Sequence, residues 1–166
     1  MADVYHELPH TEAERRLVTH LYLGGLGLTE LPPEIGQCVQ LRVFYISNNH
    51  LRGLPPEIGQ CVELQWLDLY NNCLRELPPE IGQLTKLRVL NFGNNRLREL
   101  PPEIGQCTEL QYLYLHANPL SDDTPRTIQG LQERWVRVRA ERRAATEAAL
   151  APRMNRDELG VVLSYL

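Results

Sequence analysis

LPPEIGQ occupies residues 31–37 and returns unchanged at 54–60, 77–83 and 100–106, giving the 166-residue chain a 23-residue period without insertions. Leu28, Leu51, Leu74, Leu97 and Leu120 keep the same period, as do Ile35, Ile58, Ile81 and Ile104. Between the heptapeptides one frame recurs: LRVFYISNNHL at 41–51, LQWLDLYNNCL at 64–74, LRVLNFGNNRL at 87–97 and LQYLYLHANPL at 110–120. The frame is L-x-x-L-x-L-x-x-N-x-L, with Phe44, Ile46 and Phe92 standing in for leucine. VTHLYLGGLGL at 18–28 is a degenerate fifth copy, in which Leu26 takes the asparagine position.

The centre of the frame alternates apolar and variable residues, the period of a strand. One such strand cannot bury its apolar side alone, so stacked turns sharing a leucine interior are required, about three for stability. Asn49, Asn72, Asn95 and Asn118 fall where the chain leaves the strand, and their amides are expected to pair with backbone groups of neighbouring turns as a buried ladder. In the heptapeptide, Leu and Ile are expected in the core, the prolines hold an extended or turn-like path, and the glycine permits a tight return. The column Glu34, Glu57, Glu80, Glu103 is expected as an acidic row on the solvated back.

This frame resembles the leucine-rich repeat, and its LPxxIG form is similar to the short repeats of intracellular Ras-suppressor, Ras-group and Scribble-like proteins. The resemblance covers about residues 18–120. It implies an α/β solenoid with a short parallel concave sheet and helical caps, a cytoplasmic location, and a protein partner on the concave face, with small GTPases or their regulators as the partner class. No kinase, phosphatase, PDZ or GTPase segment accompanies the repeats, so activities of larger family members do not carry over.

Residues 1–17 are expected to form an N-terminal helical cap, 18–120 five repeats, and 121–166 a C-terminal helical cap or extension. Thr11 with Glu14 makes a capping box for a short helix over about 12–18 with Leu17 facing inward, alongside His6, Leu8 and Pro9. At the other end Asp123 or Thr124 can cap a helix with Pro125 in its first turn; Ile128, Leu131, Trp135 and Val138 then share a face as far as about Leu150. After Pro152, Asn155 with Glu158 suggests another box before a helix through Leu159, Val162, Leu163 and Leu166. Both helices read as a cap; the alternative is a structural assembly subunit that interacts through them. Arg134, Arg137, Arg139, Arg142 and Arg143, diluted by Glu133, Glu141 and Glu147, read as a solvated helix surface rather than a nucleic-acid site.

The strand positions facing away from the leucines form three columns. They are His20, Val43, Trp66, Val89, Tyr112; Tyr22, Tyr45, Asp68, Asn91, Tyr114; and Gly24, Ser47, Tyr70, Gly93, His116. Six of the chain's nine Tyr and Trp residues lie in them, where core packing does not explain them. Rigid rings with a polar edge are common interface anchors. Tyr22, Tyr45, Trp66, Asp68, Tyr70, Asn91, Tyr112, Tyr114 and His116 are therefore the candidate partner-binding residues, with Trp66, Tyr45 and Tyr70 central and Asp68 placed to receive an Arg or Lys.

Composition bounds the remaining possibilities. The formal net charge is −4, with nine basic and fourteen acidic side chains in residues 1–119 against eight and seven in 120–166. That balance does not suggest a nucleic-acid binder. No apolar run approaches the roughly 18 residues of a membrane span, and the first residues contain no signal-like segment. Cys38, Cys61 and Cys107 share one repeat position and read as small core residues in a reducing compartment, so no disulfide, metal site or cofactor is expected. His20 and His116 stand at opposite ends of the stack, and His50 beside Cys73 makes neither a triad nor a metal set. Gly24, Gly25 and Gly27 lack a phosphate-loop lysine. The chain reads as a non-catalytic interaction module.

Overall fold

A computed structural model describes residues 8–150. In chain order it contains α1 (Glu12–Arg15), β1 (His20–Tyr22), the 3₁₀ segment η1 (Pro33–Gln37), β2 (Val43–Tyr45), η2 (Pro56–Gln60), β3 (Trp66–Asp68), η3 (Pro79–Gln83), β4 (Val89–Asn91), η4 (Pro102–Gln106), β5 (Tyr112–Tyr114) and α2 (Ile128–Leu150). The five strands form one parallel sheet in sequence order, and the register advances by 23 residues per rung: Leu21↔Phe44↔Leu67↔Leu90↔Leu113. The fold is a leucine-rich-repeat solenoid, with strands along one side of each turn and 3₁₀ segments along the other.

Each heptapeptide builds one 3₁₀ segment. Its first proline is extended (Pro32, φ −71°, ψ 152°), a conformation imposed on a residue that itself precedes proline. The second proline takes the first helical position, where a missing N–H costs no intrahelical bond. Leu31, Leu54, Leu77 and Leu100 from one end, and the four isoleucines from within, enter a continuous core with Leu21, Phe44, Leu67 and Leu90.

The glycine does not serve the tight return expected of it. Among the described residues, positive φ occurs at two glycines, Gly25 and Gly27, in the degenerate first repeat. A Cβ on Gly36 would instead lie 2.7 Å from Gln60 Oε1 and 2.9 Å from Glu57 O on the next rung, and Gly59 faces Glu80 O at 2.8 Å in the same way. The residue is glycine so that successive 3₁₀ backbones can touch.

The asparagine ladder is present. Asn72 Oδ1 accepts from Leu51 N (3.1 Å), while its Nδ2 donates to Ile46 O on the preceding rung (3.0 Å) and to Leu69 O on its own (3.2 Å). Asn49, Asn95 and Asn118 repeat this clasp, accepting from Leu28 N, Leu74 N and Leu97 N at 2.9–3.0 Å. Beside it runs a second ladder that the frame alone does not announce. Asn48, Asn71 and Asn94 hold φ of 54–57°, a left-handed conformation that asparagine tolerates. Their exposed amides also join from rung to rung, Asn71 Nδ2 donating to Asn48 Oδ1 and Asn94 Nδ2 to Asn71 Oδ1.

Both ends depart from expectation in detail. The Thr11–Glu14 capping box forms, but α1 stops at Arg15 and Leu17 is 71% exposed; Val18, at the entry to the first rung, is the residue buried. A single helical turn is too short to turn Leu17 back onto the core. Leu8 is partly buried and Pro9 buried, and Arg15 holds this entry by donating to Pro9 O (2.5 Å) and Gln37 Oε1 (2.7 Å). The expected wrap of His6 lies outside the described residues, as do the helix end at Pro152 and the second helix from Asn155 and Glu158 through Leu166.

At the C-terminal end α2 starts at Ile128, three residues later than Pro125 implied. Thr127 Oγ1 accepts from Gly130 N (3.1 Å) in the capping role that Asp123 or Thr124 was expected to fill. Thr124 is instead buried in a turn, its hydroxyl 2.8 Å from that of Ser121. The helix lies directly on η4: a Cβ on Gly105 would be 2.5 Å from both Leu131 O and Trp135 Cβ. It thus occupies the place where a further 3₁₀ segment would stack, with Leu131 fully buried. Glu103 is the consequence. Glu34 is exposed and Glu57 and Glu80 are half-buried, but Glu103 is buried under α2 and accepts from Arg142 (2.6 Å). The acidic row is therefore interrupted at its last member.

Candidate functional site

The outward face of the sheet assembles the columns read from the sequence. In register they run His20, Val43, Trp66, Val89, Tyr112 and Tyr22, Tyr45, Asp68, Asn91, Tyr114, with adjacent strands about 4.8 Å apart. Trp66, Tyr70, Tyr22, Tyr112 and Tyr114 expose between 36% and 56% of their surface, and Tyr45 is half-buried. None of these rings enters the leucine core. Val89 differs from its column in being buried, a small side chain on the rung between Trp66 and Tyr112.

The rings do not act as isolated anchors. Tyr22 stacks on Tyr45 (centroids 5.3 Å apart, planes 9° apart), and Tyr45 meets Trp66 at 5.8 Å and 39°. A diagonal aromatic strip therefore crosses three rungs, geometry in which ring pairs gain on the order of 1 kcal/mol beyond area burial. Tyr70 belongs to a separate pair, with His116 at 6.0 Å. Tyr70 and His116 are two rungs apart, and Gly93 on the rung between them makes the pair possible, since a Cβ there would lie 2.5 Å from His116 Cε1. Tyr70 and the Tyr45–Trp66 strip are thus two clusters rather than one centre, Tyr112 and Tyr114 being the most exposed rings at the far end.

Asp68 is the one formally charged residue in the three columns. Its Oδ1 accepts from Tyr70 N (2.9 Å), and Asn91 repeats the turn on the next rung by accepting from Gly93 N (3.0 Å). These local bonds fix each side chain's direction, and Asp68 retains its second carboxylate oxygen for another donor. Partial burial, then the nearby Tyr22 and Asp68, push the Tyr45 phenol above its ordinary pKa, so it is a neutral O–H donor at physiological pH.

The cysteines show no catalytic disposition. Cys38, Cys61 and Cys107 are buried and free, and burial pushes their thiols up to about 11, 12 and 12. Cys61 and Cys107 donate instead to Ile35 O and Ile81 O (3.3 and 3.4 Å). Leu84, at the same repeat position, fills the core without that donor. Among the described residues no group of three or more His, Cys, Asp or Glu is placed to hold a metal ion, and no helix is long and apolar enough to cross a membrane.

Comparison with known proteins bears on this architecture. The model of the leucine-rich repeat region matches residues 56–147, and that of the single leucine-rich repeat matches 40–61. A search of curated proteins found no match. Among solved structures, a leucine-rich-repeat protein of Leptospira interrogans is 37% identical over 76% of this chain and 33% of its own, with a TM-score of 0.62. The leucine-rich-repeat ectodomain of the Arabidopsis thaliana membrane receptor kinase GASSHO1/SCHENGEN3, solved with Casparian Strip Integrity Factor 2, is 33% identical over 69% of this chain and 14% of its own, TM-score 0.60. The BIR2 ectodomain, also from Arabidopsis thaliana, is 29% identical over 63% and 57%, TM-score 0.57. This chain spans less than two thirds of each of those chains. The repeat frame, the stacked parallel strands and a family match across more than half of its length together make this chain a member of the leucine-rich-repeat family, whose fold is a non-catalytic scaffold for protein–protein interaction.

Proposed function

We propose that the chain is a protein-recognition module that receives its partner on the concave face, against the Tyr22–Tyr45–Trp66 strip and Asp68. One observation carries this reading: three rings in contact across successive rungs stand outside a core that is already filled. Aromatic strips of this kind provide large contact area at low entropy cost. Asp68 adds a single negative charge at the strip's edge, which suits an Arg or Lys of the partner and contributes specificity more than affinity. Tyr70 with His116, and the outlying Tyr112 and Tyr114, extend the surface toward the last rung; Asn91 orders the turn between them.

The receptor-kinase ectodomain solved with Casparian Strip Integrity Factor 2 supports the general mode, a bound factor on a leucine-rich-repeat surface. The LPPEIGQ heptapeptide, similar to the repeats of the Ras-suppressor, Ras-group and Scribble-like proteins, favours a cytoplasmic setting and a small GTPase or its regulator as the partner. Assembly through the C-terminal helices is the weaker reading, because Leu131 and Trp135 of α2 are engaged in closing the last rung.

Affinity capture from the source organism tests the proposal, with parent, Trp66→Ala, Asp68→Ala and Val136→Asp proteins compared after matching thermal melts. Val136 is exposed on α2 and serves as the control. A partner held by parent and Val136→Asp but lost by Trp66→Ala supports the concave site. A partner retained by both concave variants and lost by Val136→Asp would transfer recognition to the helix.

A further inference from the structure

The flank where each turn leaves the sheet carries a charge pattern that neither the core nor the aromatic face uses. Two columns bracket the marking leucines: Gly27, His50, Cys73, Arg96, Pro119 on one side and Thr29, Arg52, Arg75, Arg98, Ser121 on the other. Backbone bonds from His50 N to Leu28 O, Cys73 N to Leu51 O, Arg96 N to Leu74 O and Arg75 N to Arg52 O hold these columns in step. Equivalent side chains therefore start about 5 Å apart on successive rungs.

The result is a depression of about 270 Å³ lined by Thr29, His50, Arg52, Cys73, Arg75 and Arg96. Among the described residues, no ion pair or side-chain hydrogen bond engages Arg52, Arg75 or Arg96. The repeat position next to this column reads Glu30, Gly53, Glu76, Glu99, and none of its three carboxylates pairs with Arg52, Arg75 or Arg96. Elsewhere the stack does the opposite: Lys86 meets Glu63 at 2.5 Å and Arg88 meets Glu109 at 3.4 Å across neighbouring rungs. Like charges in register destabilise a ladder. A chain of net charge −4 that nonetheless converges three guanidinium groups on one hollow has the electrostatics of an anion receptor.

We infer that the hollow formed by Arg52, Arg75, Arg96, His50 and Thr29 is a binding site for a phosphate monoester. A tetrahedral dianion offers three strong acceptor oxygens, enough to engage guanidinium forks from three rungs at once; a carboxylate offers two. The His50 ring and the Thr29 hydroxyl add further donors to the lining. Nucleic acid fits less well, because the cations form one compact cluster rather than a track along a strand, and the hollow has no Phe, Tyr or Trp ring to serve as a stacking platform. The phosphate can be carried by a phosphorylated side chain of a protein or by a small phosphorylated molecule, and the site lies apart from the aromatic strip, so it stands whether or not that strip binds a partner.

Cys73 lines this hollow and is half-buried, whereas the other three cysteines are fully buried. Alkylation of the native protein therefore reports occupancy. The experiment measures Cys73 alkylation and backbone amide shifts of residues 28–30, 50–52, 73–75 and 96–98 during titration with inorganic phosphate, O-phosphoserine, a phosphoserine pentapeptide, its unphosphorylated form, and a single-stranded oligonucleotide, all at constant ionic strength. Saturable shifts with protection of Cys73 by the phosphorylated probes, weakened about ten- to a hundredfold in Arg52→Gln/Arg75→Gln, are expected. Tighter binding of the phosphopeptide than of free phosphate and phosphoserine assigns the source to protein; equal binding assigns it to small molecules. Equal response of the double variant, equal response to the unphosphorylated peptide, or preferential binding of the oligonucleotide would overturn the assignment. The double variant should melt no lower than the parent, since it removes like-charge repulsion.

Discussion

Replacing Asn72 by alanine should cost about 2 kcal/mol, and the structure says where that cost falls. Leu51 N has Asn72 Oδ1 as its partner and would be left unpaired in the buried stack. Ile46 O and Leu69 O lose Asn72 Nδ2 but keep the amides of Asn49 and Asn95, at 3.0 and 2.9 Å. One orphaned donor, not three groups, therefore sets the magnitude, within the roughly 1–3 kcal/mol of a buried unsatisfied group. Asn72→Asp should cost more, because it places a second acceptor against those two carbonyls. Asn71→Ala should cost less, since its rung-to-rung bonds are exposed. Equilibrium urea unfolding, with melting as a check, should order the variants Asn72→Asp, Asn72→Ala, Asn71→Ala from least to most stable, with Asn72→Ala about 4–8 °C below the parent. An Asn72→Ala protein within about 0.3 kcal/mol of the parent would show that the ladder does not bind the rungs together.

Three further outcomes follow from the packing. Gly59→Ala should lose about 1–3 kcal/mol by pressing on Glu80 O, whereas Gly53→Ala, with no atom within 4 Å of the new methyl, should be neutral or gain up to about 1 kcal/mol in the same unfolding assay. Leu131→Ala should cost about 2–5 kcal/mol and increase exchange of the η4 amides, since it empties the contact between α2 and the last rung. Folded-state thiol pKa values raised from 9 to about 11–12 mean that the unfolded chain loses protons first as pH rises; stability is full below about pH 9 and falls from there through pH 11–12. A Cys38→Ala/Cys61→Ala/Cys107→Ala protein should show a flatter profile over that range.

What the sequence made legible was whatever repeated with period 23. The leucine interior, the strand register, the clasp of Asn49, Asn72, Asn95 and Asn118 and the three outward columns all follow from counting, because each rung supplies its neighbour with the same environment. The losses occur where a residue's role depends on what lies across a rung or at the end of the stack. Gly36 reads as a turn residue until the adjacent 3₁₀ backbone is placed against it. Glu103 has the same sequence context as Glu34, yet one is buried beneath α2 and the other is exposed. Leu17 and the start of α2 depart from expectation for local reasons: α1 is a single turn that stops at Arg15, and Thr127 rather than Asp123 or Thr124 takes the capping role at α2. The second ladder had a signal, the doublets at Asn48, Asn71 and Asn94 beside the frame asparagines. The arginine hollow had a partial one, since Arg52 and Arg75 recur in register, but Arg96 joins them from the neighbouring column and the unpaired state of all three is visible only in three dimensions.

The concave-face claim is tested most directly by hydroxyl-radical footprinting of the captured complex against the free protein, because the residues in question are reactive aromatic rings. Protection of Tyr22, Tyr45 and Trp66 with Val136 unchanged is the outcome expected here. Undiminished oxidation of those three rings in the complex, with protection confined to α2, would contradict it.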